Sequence, residues 1–375
     1  MGRWVSNVFR LGLKEFAGIA SDKVLAFFLV YSFSFAIYTQ ATGVNTEITN
    51  APIAIVDSDR SALSARIRDG LLKPYFHRPA LIDRGDVDRT MDRGIYSFIL
   101  DVPPHLEADV MNGRVPALQL NIDATAMTYA GIGGAYVESI VHQETKNYFK
   151  ARGIEVQFPI TPIIRTLFNP NLEGLWFHAV MEVLEAVSML SILLVGAAVI
   201  RERERGTIEH LLVMPVRTSE IVAAKIWANG LVILVATGLS LILVVEAVLK
   251  VPIEGSIALF LVGTAVYLFA IASLGILLAT IANTMPPFAL MALPVFMILH
   301  MLSGGFSPLE SMPQPLQVAI QVSPAVHYVK FAQSVLYRAA GFDLVWRDIA
   351  VLAGLGAMFL SLALLRFRAM LAGVR

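Results

Sequence analysis

The stretch Val180–Ile200, VMEVLEAVSMLSILLVGAAVI, has two carboxylates near its start and no charge in the rest of its length. A bilayer core takes about 20 apolar residues as helix, so this run reads as a membrane span and sets the class of the fold. Trp227 to Val245 and Ile257 to Ala282 are also long, uncharged and apolar. Val24 to Ala41 is slightly short but uninterrupted, and Ile349 to Leu365 is near the lower limit. Phe288 to Leu302 is shorter still and contains Pro294, so it either spans or re-enters. The expectation is a polytopic α-helical membrane protein of six spans, or five if that run re-enters. Composition agrees: of 375 residues, 56% are hydrophobic and 15% charged, against roughly 25% charged in an average soluble domain. Lys plus Arg (29) cancel Asp plus Glu (29), leaving no global basic field for nucleic acid. Cysteine is absent, which removes disulfides and thiolate chemistry.

Positive charge orients the bundle. Arg3, Arg10, Lys14 and Lys23 precede the first run; Arg201, Arg203, Arg205, Arg217 and Lys225 occupy a loop over 201–225; Arg366, Arg368 and Arg375 lie in a tail over 366–375. These regions are expected on the cytoplasmic side, with both termini. The opposite short loops hold only Lys250, Lys330, Arg338 and Arg347, and the segment 42–179 is long enough to translocate regardless of charge. Trp4, Trp176, Trp227 and Trp346 fall in the N-terminal arm or at span edges, where amphipathic rings favour the headgroup layer. Within residues 1–23, Arg3, Asn7, Arg10 and Lys14 share one helical face and Val5, Val8, Phe9, Leu13 and Phe16 the other, the pattern of an interfacial helix. The run 24–41 behind it reads as an uncleaved anchor, since no Ala-x-Ala-like site follows.

The segment 42–179 reads as an inserted α/β domain. Pro52 to Asp57, Ala80 to Ile82, Ile95 to Leu100 and Ala117 to Asp123 have strand character. Between them, Ser58 or Asp59 caps a helix reaching Leu72, Asp86 starts one ending at Gly94, and Pro103 and Pro104 open one stopping near Gly113. A longer helix over Met127 to Lys150 leads back towards the membrane. Strand alternating with helix implies a small open sheet. The many aspartates (Asp57, Asp59, Asp83, Asp86, Asp88, Asp92, Asp101, Asp123) mostly occupy cap and turn positions. Gly131-Ile132-Gly133-Gly134 fails the dinucleotide fingerprint because Tyr136 stands where its third glycine belongs. His77, His105, His142 and His178 lack metal-ligand spacing, and no Gly-x-Ser-x-Gly elbow occurs.

The loop 201–225 contains Arg201-Glu202-Arg203-Glu204-Arg205-Gly206-Thr207-Ile208-Glu209-His210-Leu211-Leu212-Val213-Met214-Pro215. Gly206 permits a sharp turn, Thr207 caps a new helix, Glu209 faces its positive end and Pro215 ends it after about two turns. Leu211, Leu212 and Met214 give it an apolar surface suited to a partner's groove; a helix resting on lipid reads these residues equally well.

Glu204-x-Gly206-Thr207-x-Glu209-x-Leu211-Leu212-x-x-Pro215 resembles the coupling-helix signature of type-2 ABC transporter permeases. Ser303-Gly304-Gly305-Phe306-x-Pro308, Met312-Pro313, and Ser323-Pro324 with His327-Tyr328 are similar to that family's outer loop between the last two spans, here within 303–348. Pro52 to Asp57, Asp92-Arg93-Gly94-Ile95-Tyr96 and Asn121-Ile122-Asp123-Ala124-Thr125 resemble the subgroup with a large periplasmic domain between spans one and two. The resemblance covers nearly the whole chain. It implies a permease subunit in a bacterial inner membrane, exporting drugs, lipids or other amphiphiles. Its implied partners are a P-loop ATPase, a second permease chain completing the pathway, a periplasmic membrane-fusion protein and membrane lipids. No Gly-x-x-x-x-Gly-Lys-Ser/Thr occurs in the chain, so ATP and Mg are expected on the partner ATPase and no cofactor on this chain.

Glu182 and Glu185 lie one turn apart on one helix face. Ionisable groups at membrane depth are functional candidates, so they mark a candidate translocation path; reaching headgroup water is their structural alternative. With Glu246 they also support a secondary transporter or channel, but no inverted repeat accompanies them. A membrane enzyme lacks a catalytic constellation. A sensor would use the outer domain as receptor.

Overall fold

The computed structural model describes residues 2–43, 50–72, 75–123, 127–153, 174–206, 216–305, 309 and 312–372. They form two compact units, Val44–Gly174 and the combination of Met1–Gly43 with Leu175–Arg375.

The chain opens with α1, Gly2–Ser21, and α2, Lys23–Gly43, which contains a π-helical stretch at Ser32–Ala36. Asp22 separates them and caps α2, its carboxylate accepting from the Leu25 amide at 3.1 Å.

The unit Val44–Gly174 carries β1 (Ile53–Asp57), α3 (Ala62–Gly70), β2 (Ala80–Leu81), α4 (Val87–Asp92), β3 (Phe98–Val102), α5 (Leu106–Met111), β4 (Gln119–Ile122) and α6 (Met127–Lys150). The sheet order is β2-β1-β3-β4, with β1 parallel to β2 and β3, and β4 antiparallel to β3. Side chains alternate across a strand. Ile53 and Ile55 therefore meet Leu63, Ile67 and Phe149 on one face, while Ala54 and Val56 meet Val87 and Met91 on the other. Burial on both faces explains the unbroken apolar run in β1.

All four expected strands form with later starts in three: β1 begins at Ile53 rather than Pro52, β4 at Gln119 rather than Ala117, and β3 at Phe98 rather than Ile95, because the Ile95 amide closes the preceding turn onto the Thr90 carbonyl at 3.1 Å. The caps also differ. Ser61 caps α3, accepting from Ser64 at 3.1 Å. Asp59 instead accepts from the Glu107 amide at 3.2 Å, serving α5 across the domain. That helix starts beyond the proline pair, at Leu106, after His105 in the left-handed region (φ 66°). Helix α6 has its expected bounds and is tied to α3 by the Arg66–Glu144 pair at 2.7 Å.

The other unit continues with α7 (Gly174–Glu204), α8 (Thr218–Val248), α9 (Ile257–Ile281), α10 (Met285–Met301), α11 (Gln314–Ala319), α12 (Pro324–Leu336) and α13 (Phe342–Ala372). Five of the described helices, α2, α7, α8, α9 and α13, are long and apolar enough to cross a membrane. Helix α10 is apolar but has 17 residues and Pro294 inside it. In α7, 83% of the most apolar stretch is buried, against 28% in α2, so α7 is enclosed by the rest of its unit. At Gly275 in α9, a Cβ would stand 3.0 Å from the Ile192 carbonyl oxygen of α7. Only a small residue lets the two backbones approach so closely.

Several expected boundaries need correction. Helix α7 begins at Gly174 rather than Val180, α13 runs through Arg366 and Arg368 where a tail was expected, and 303–348 holds α11, α12 and the start of α13. The loop 201–225 is shorter, because α7 continues to Glu204 and α8 starts at Thr218. The Arg217 amide donates to Glu220 at 2.8 Å, closing that N-terminus. Trp227 consequently lies inside α8 instead of at its edge.

Candidate functional site

The last turn of α7 is where the signature residues begin. Its helix stops at Glu204, and Gly206 turns the chain with φ 66° while its amide donates to the Arg203 carbonyl at 3.1 Å. Gly is the residue that takes this left-handed conformation without strain. Arg203 Nη1 donates to the Ala282 carbonyl at 2.9 Å, and Glu204 Oε1 accepts from the Met285 amide at 2.9 Å. The end of α7 is thereby fastened to the corner between α9 and α10. Thr284 precedes α10 without capping it through its side chain, so Glu204 supplies the acceptor that an N-cap residue would give. Thr207, Glu209, Leu211, Leu212 and Pro215 lie outside the described residues.

A buried ionic cluster stands beside this corner. Lys225 of α8 is 1% exposed. Its ammonium donates to Glu15 of α1 at 2.8 Å, Glu202 of α7 at 2.9 Å and the Ala198 carbonyl at 3.3 Å. Lys14 adds a second cation to Glu202 at 3.4 Å, and Arg201 pairs with Asp22 at 3.1 Å. Trp227 completes the joint. Its indole donates to the Val8 carbonyl at 3.2 Å, and its ring stacks on Phe9 and meets Phe16 edge-on. A Cβ on Gly12 would come within 2.1 Å of that indole, so α1 is seated on α8 through a glycine notch. Helix α1 still leaves Val5, Phe9 and Leu13 exposed, the apolar stripe expected of an interfacial helix, while the line through Gly12 and Ile19 faces protein.

Glu182 and Glu185, both half-buried, form the second candidate cluster. Glu185 pairs with His300 Nε2 at 3.0 Å, at the far end of α10. One turn on, the Ser188 hydroxyl shares a hydrogen bond with the Tyr267 hydroxyl at 2.7 Å. Tyr267 stacks on Tyr328 at 3.9 Å with planes 5° apart, and Tyr328 shares a hydrogen bond with Thr264 at 3.0 Å. The space bounded by Met181, Glu185, Ser188, His300, Ser303 and Tyr328 measures about 10 Å³, which holds about one water. This polar cluster is closed.

Sequence reasoning singled out neither His300 nor Tyr267, and it named Tyr328 only within the outer-loop motif. His300 is the one ionisable residue in Phe288 to Leu302, and a lone ionisable group in such a run is itself a signal. Its carboxylate partner lies too far along the chain for any local pattern to reveal. Lys225 was expected as a loop cation; its burial depends on carboxylates from α1 and α7.

Known proteins supply the remaining constraint. Residues 24–365 match the sequence profile of the family described as ABC-2 family transporter protein. The inner membrane transport permease YhhJ of Escherichia coli strain K12 is 46% identical over 367 residues, covering 98% of each chain. The probable multidrug ABC transporter permease YbhR of the same strain is 27% identical over 328 residues, 86% of this chain and 87% of that one. ABC transporter G family member 20 of Dictyostelium discoideum is 21% identical over 344 residues, 90% of this chain but 47% of its own length. Such permeases are multi-pass subunits whose ATP hydrolysis resides on a partner ATPase. The chain belongs to the ABC-2 family of transporter proteins.

Proposed function

We propose that the chain is the permease of an ATP-driven exporter of drugs, lipids or other amphiphiles, forming its pathway with a second permease chain. The observation that carries this reading is the family match over nearly the whole chain. The segment 207–215 would act as the coupling helix, seating Glu209, Leu211 and Leu212 in a groove of the ATPase. The fastening of Arg203 and Glu204 to the α9–α10 corner, and of Lys225 to α1 and α7, supports this role. A push on the loop would reach five helices without first bending a free linker.

In this reading α10 is a sixth crossing and both termini are cytoplasmic. The unit Val44–Gly174 is periplasmic, where it would meet a membrane-fusion protein. ATP and Mg remain on the ATPase. Glu182 and Glu185, with His300, line the pathway and bias it towards cationic substrates once the cluster opens.

The experiment is reconstitution of the permease with its ATPase in proteoliposomes. Glu209→Ala and Gly206→Pro should leave the permease folded and membrane-inserted while abolishing substrate-stimulated ATP hydrolysis. Wild-type stimulation in both variants would refute the coupling role, and failure to co-purify with any P-loop ATPase would refute the exporter reading.

A further inference from the structure

Beside the Lys225 cluster, α1, the first residue of α2 and the end of α7 enclose an open cavity of about 560 Å³. That is within the range of small-molecule sites. Four cations line it, Lys14, Lys23, Arg201 and Arg205, with three carboxylates, Glu15, Asp22 and Glu202. Each carboxylate is already engaged. Glu15 takes Lys225, Glu202 takes Lys14 and Lys225, and Asp22 takes Arg201 and the Leu25 amide. Lys23 and Arg205 are exposed and have no carboxylate partner among the described residues. Two cations thus face a cavity with no counter-charge left among the described residues of its wall, and Gly18, Ile19 and Ala198 give that wall an apolar part.

We propose that this cavity binds the phosphoryl headgroup of an anionic phospholipid, held by Lys23 and Arg205. Its surroundings favour a lipid over a soluble phosphate. Val5, Phe9 and Leu13 on α1 and Val24 and Phe27 on α2 are exposed apolar side chains flanking the cavity in sequence. An amphipathic helix with such a stripe lies at the acyl boundary, which puts the cavity at headgroup depth with acyl chains free to run along α2. Basic pockets between membrane helices bind anionic headgroups in this way. A bound lipid would neutralise the two free cations and brace α1 against α7.

The test is native mass spectrometry of the whole permease released from nanodiscs of phosphatidylcholine with one-fifth phosphatidylglycerol. The wild type should retain phosphatidylglycerol in preference to phosphatidylcholine. Lys23→Gln with Arg205→Gln should cut that retention about tenfold, whereas removal of a remote cation, Lys250→Gln, should not. Because both sites are exposed, the double variant should fold. As a charge-neutral check, Gly18→Phe fills the cavity, where a Cβ meets no atom within 4 Å, and should give the same loss. Equal retention in the wild type, the double variant and Gly18→Phe would overturn the proposal. So would full protection of the wild type against thermal unfolding by inorganic phosphate alone, which would assign the site to a soluble anion.

Discussion

Replacing Lys225 by Met tests the joint between α1 and the membrane helices most directly. The substitution keeps an unbranched apolar stem out to Cε and removes the ammonium, leaving Glu15 and Glu202 facing one another with side chains 14% exposed. Removing one partner of a buried ion pair costs about 3–5 kcal/mol, because the remaining charge stays desolvated. Here the lower end applies, since both carboxylates reach some water and Glu202 keeps Lys14 at 3.4 Å. A cost of about 3 kcal/mol corresponds to roughly a hundredfold rise in the population of opened α1, at 1.4 kcal/mol per factor of ten. The chain has no cysteine, so a single thiol placed at Ile19, which is 7% exposed, reports that opening by its maleimide labelling rate. Lys225→Met should raise the rate about a hundredfold, and adding Glu15→Gln and Glu202→Gln should bring it most of the way back. A rate within about threefold of the parent in Lys225→Met would show that the ion cluster does not hold α1.

Other outcomes follow from the same geometry. In spheroplasts, a cysteine at Asp69 should label from outside, and one at Arg217 only after permeabilisation; the opposite pattern would invert the proposed topology. Glu204→Ala removes the acceptor at the start of α10 and should lower thermal stability by about 1 kcal/mol, as for a lost N-cap, with Glu204→Asp recovering part; no change in the melting profile would mean the cap contributes nothing. Glu182→Gln with Glu185→Gln should shift export from cationic towards neutral substrates at unchanged abundance; equal loss of abundance and all transport would assign the carboxylates to holding the bundle together.

The α/β unit was legible in the sequence because its signals are local. Short apolar runs, cap residues and the breaks at Gly94 and Gly113 act within a few positions, whereas the order β2-β1-β3-β4 was not read from the sequence. Where the reading failed there, at Asp59, a local acceptor was used by a helix 48 positions away. The membrane unit was legible in its apolar runs but not at their ends. Lys225 looked like a loop cation because charge ordinarily ends a span. Its partners Glu15 and Glu202 stand on α1 and α7, the first of them 210 positions away, and the cap between Arg217 and Glu220 starts α8 well before Lys225. His300 was lost for the same reason, since its meaning depends on Glu185 of a different helix.

The pairing of α7 with α10 explains why the two clusters belong to one mechanical element. Glu204 holds the Met285 amide at one end of α10, and Glu185 holds His300 at the other. The helices are therefore antiparallel and pinned at both ends, and the Phe288 ring lies against Gly196 between the pins. At 1.5 Å per residue, the 185–204 segment of α7 spans roughly 28 Å and the 285–300 segment of α10 roughly 22 Å, a mismatch that the reach of the Glu and His side chains takes up. Pro294 lies inside α10, and a proline interior to a helix removes a backbone hydrogen bond and permits a bend. Breaking the Glu185–His300 pin would release the half of α10 beyond Pro294 while Glu204 keeps the first half fixed. Ser188, Tyr267 and Tyr328, buried beside His300, would then lose the α10 side of their enclosure, which is the half of the helix that Pro294 separates from the Glu204 pin.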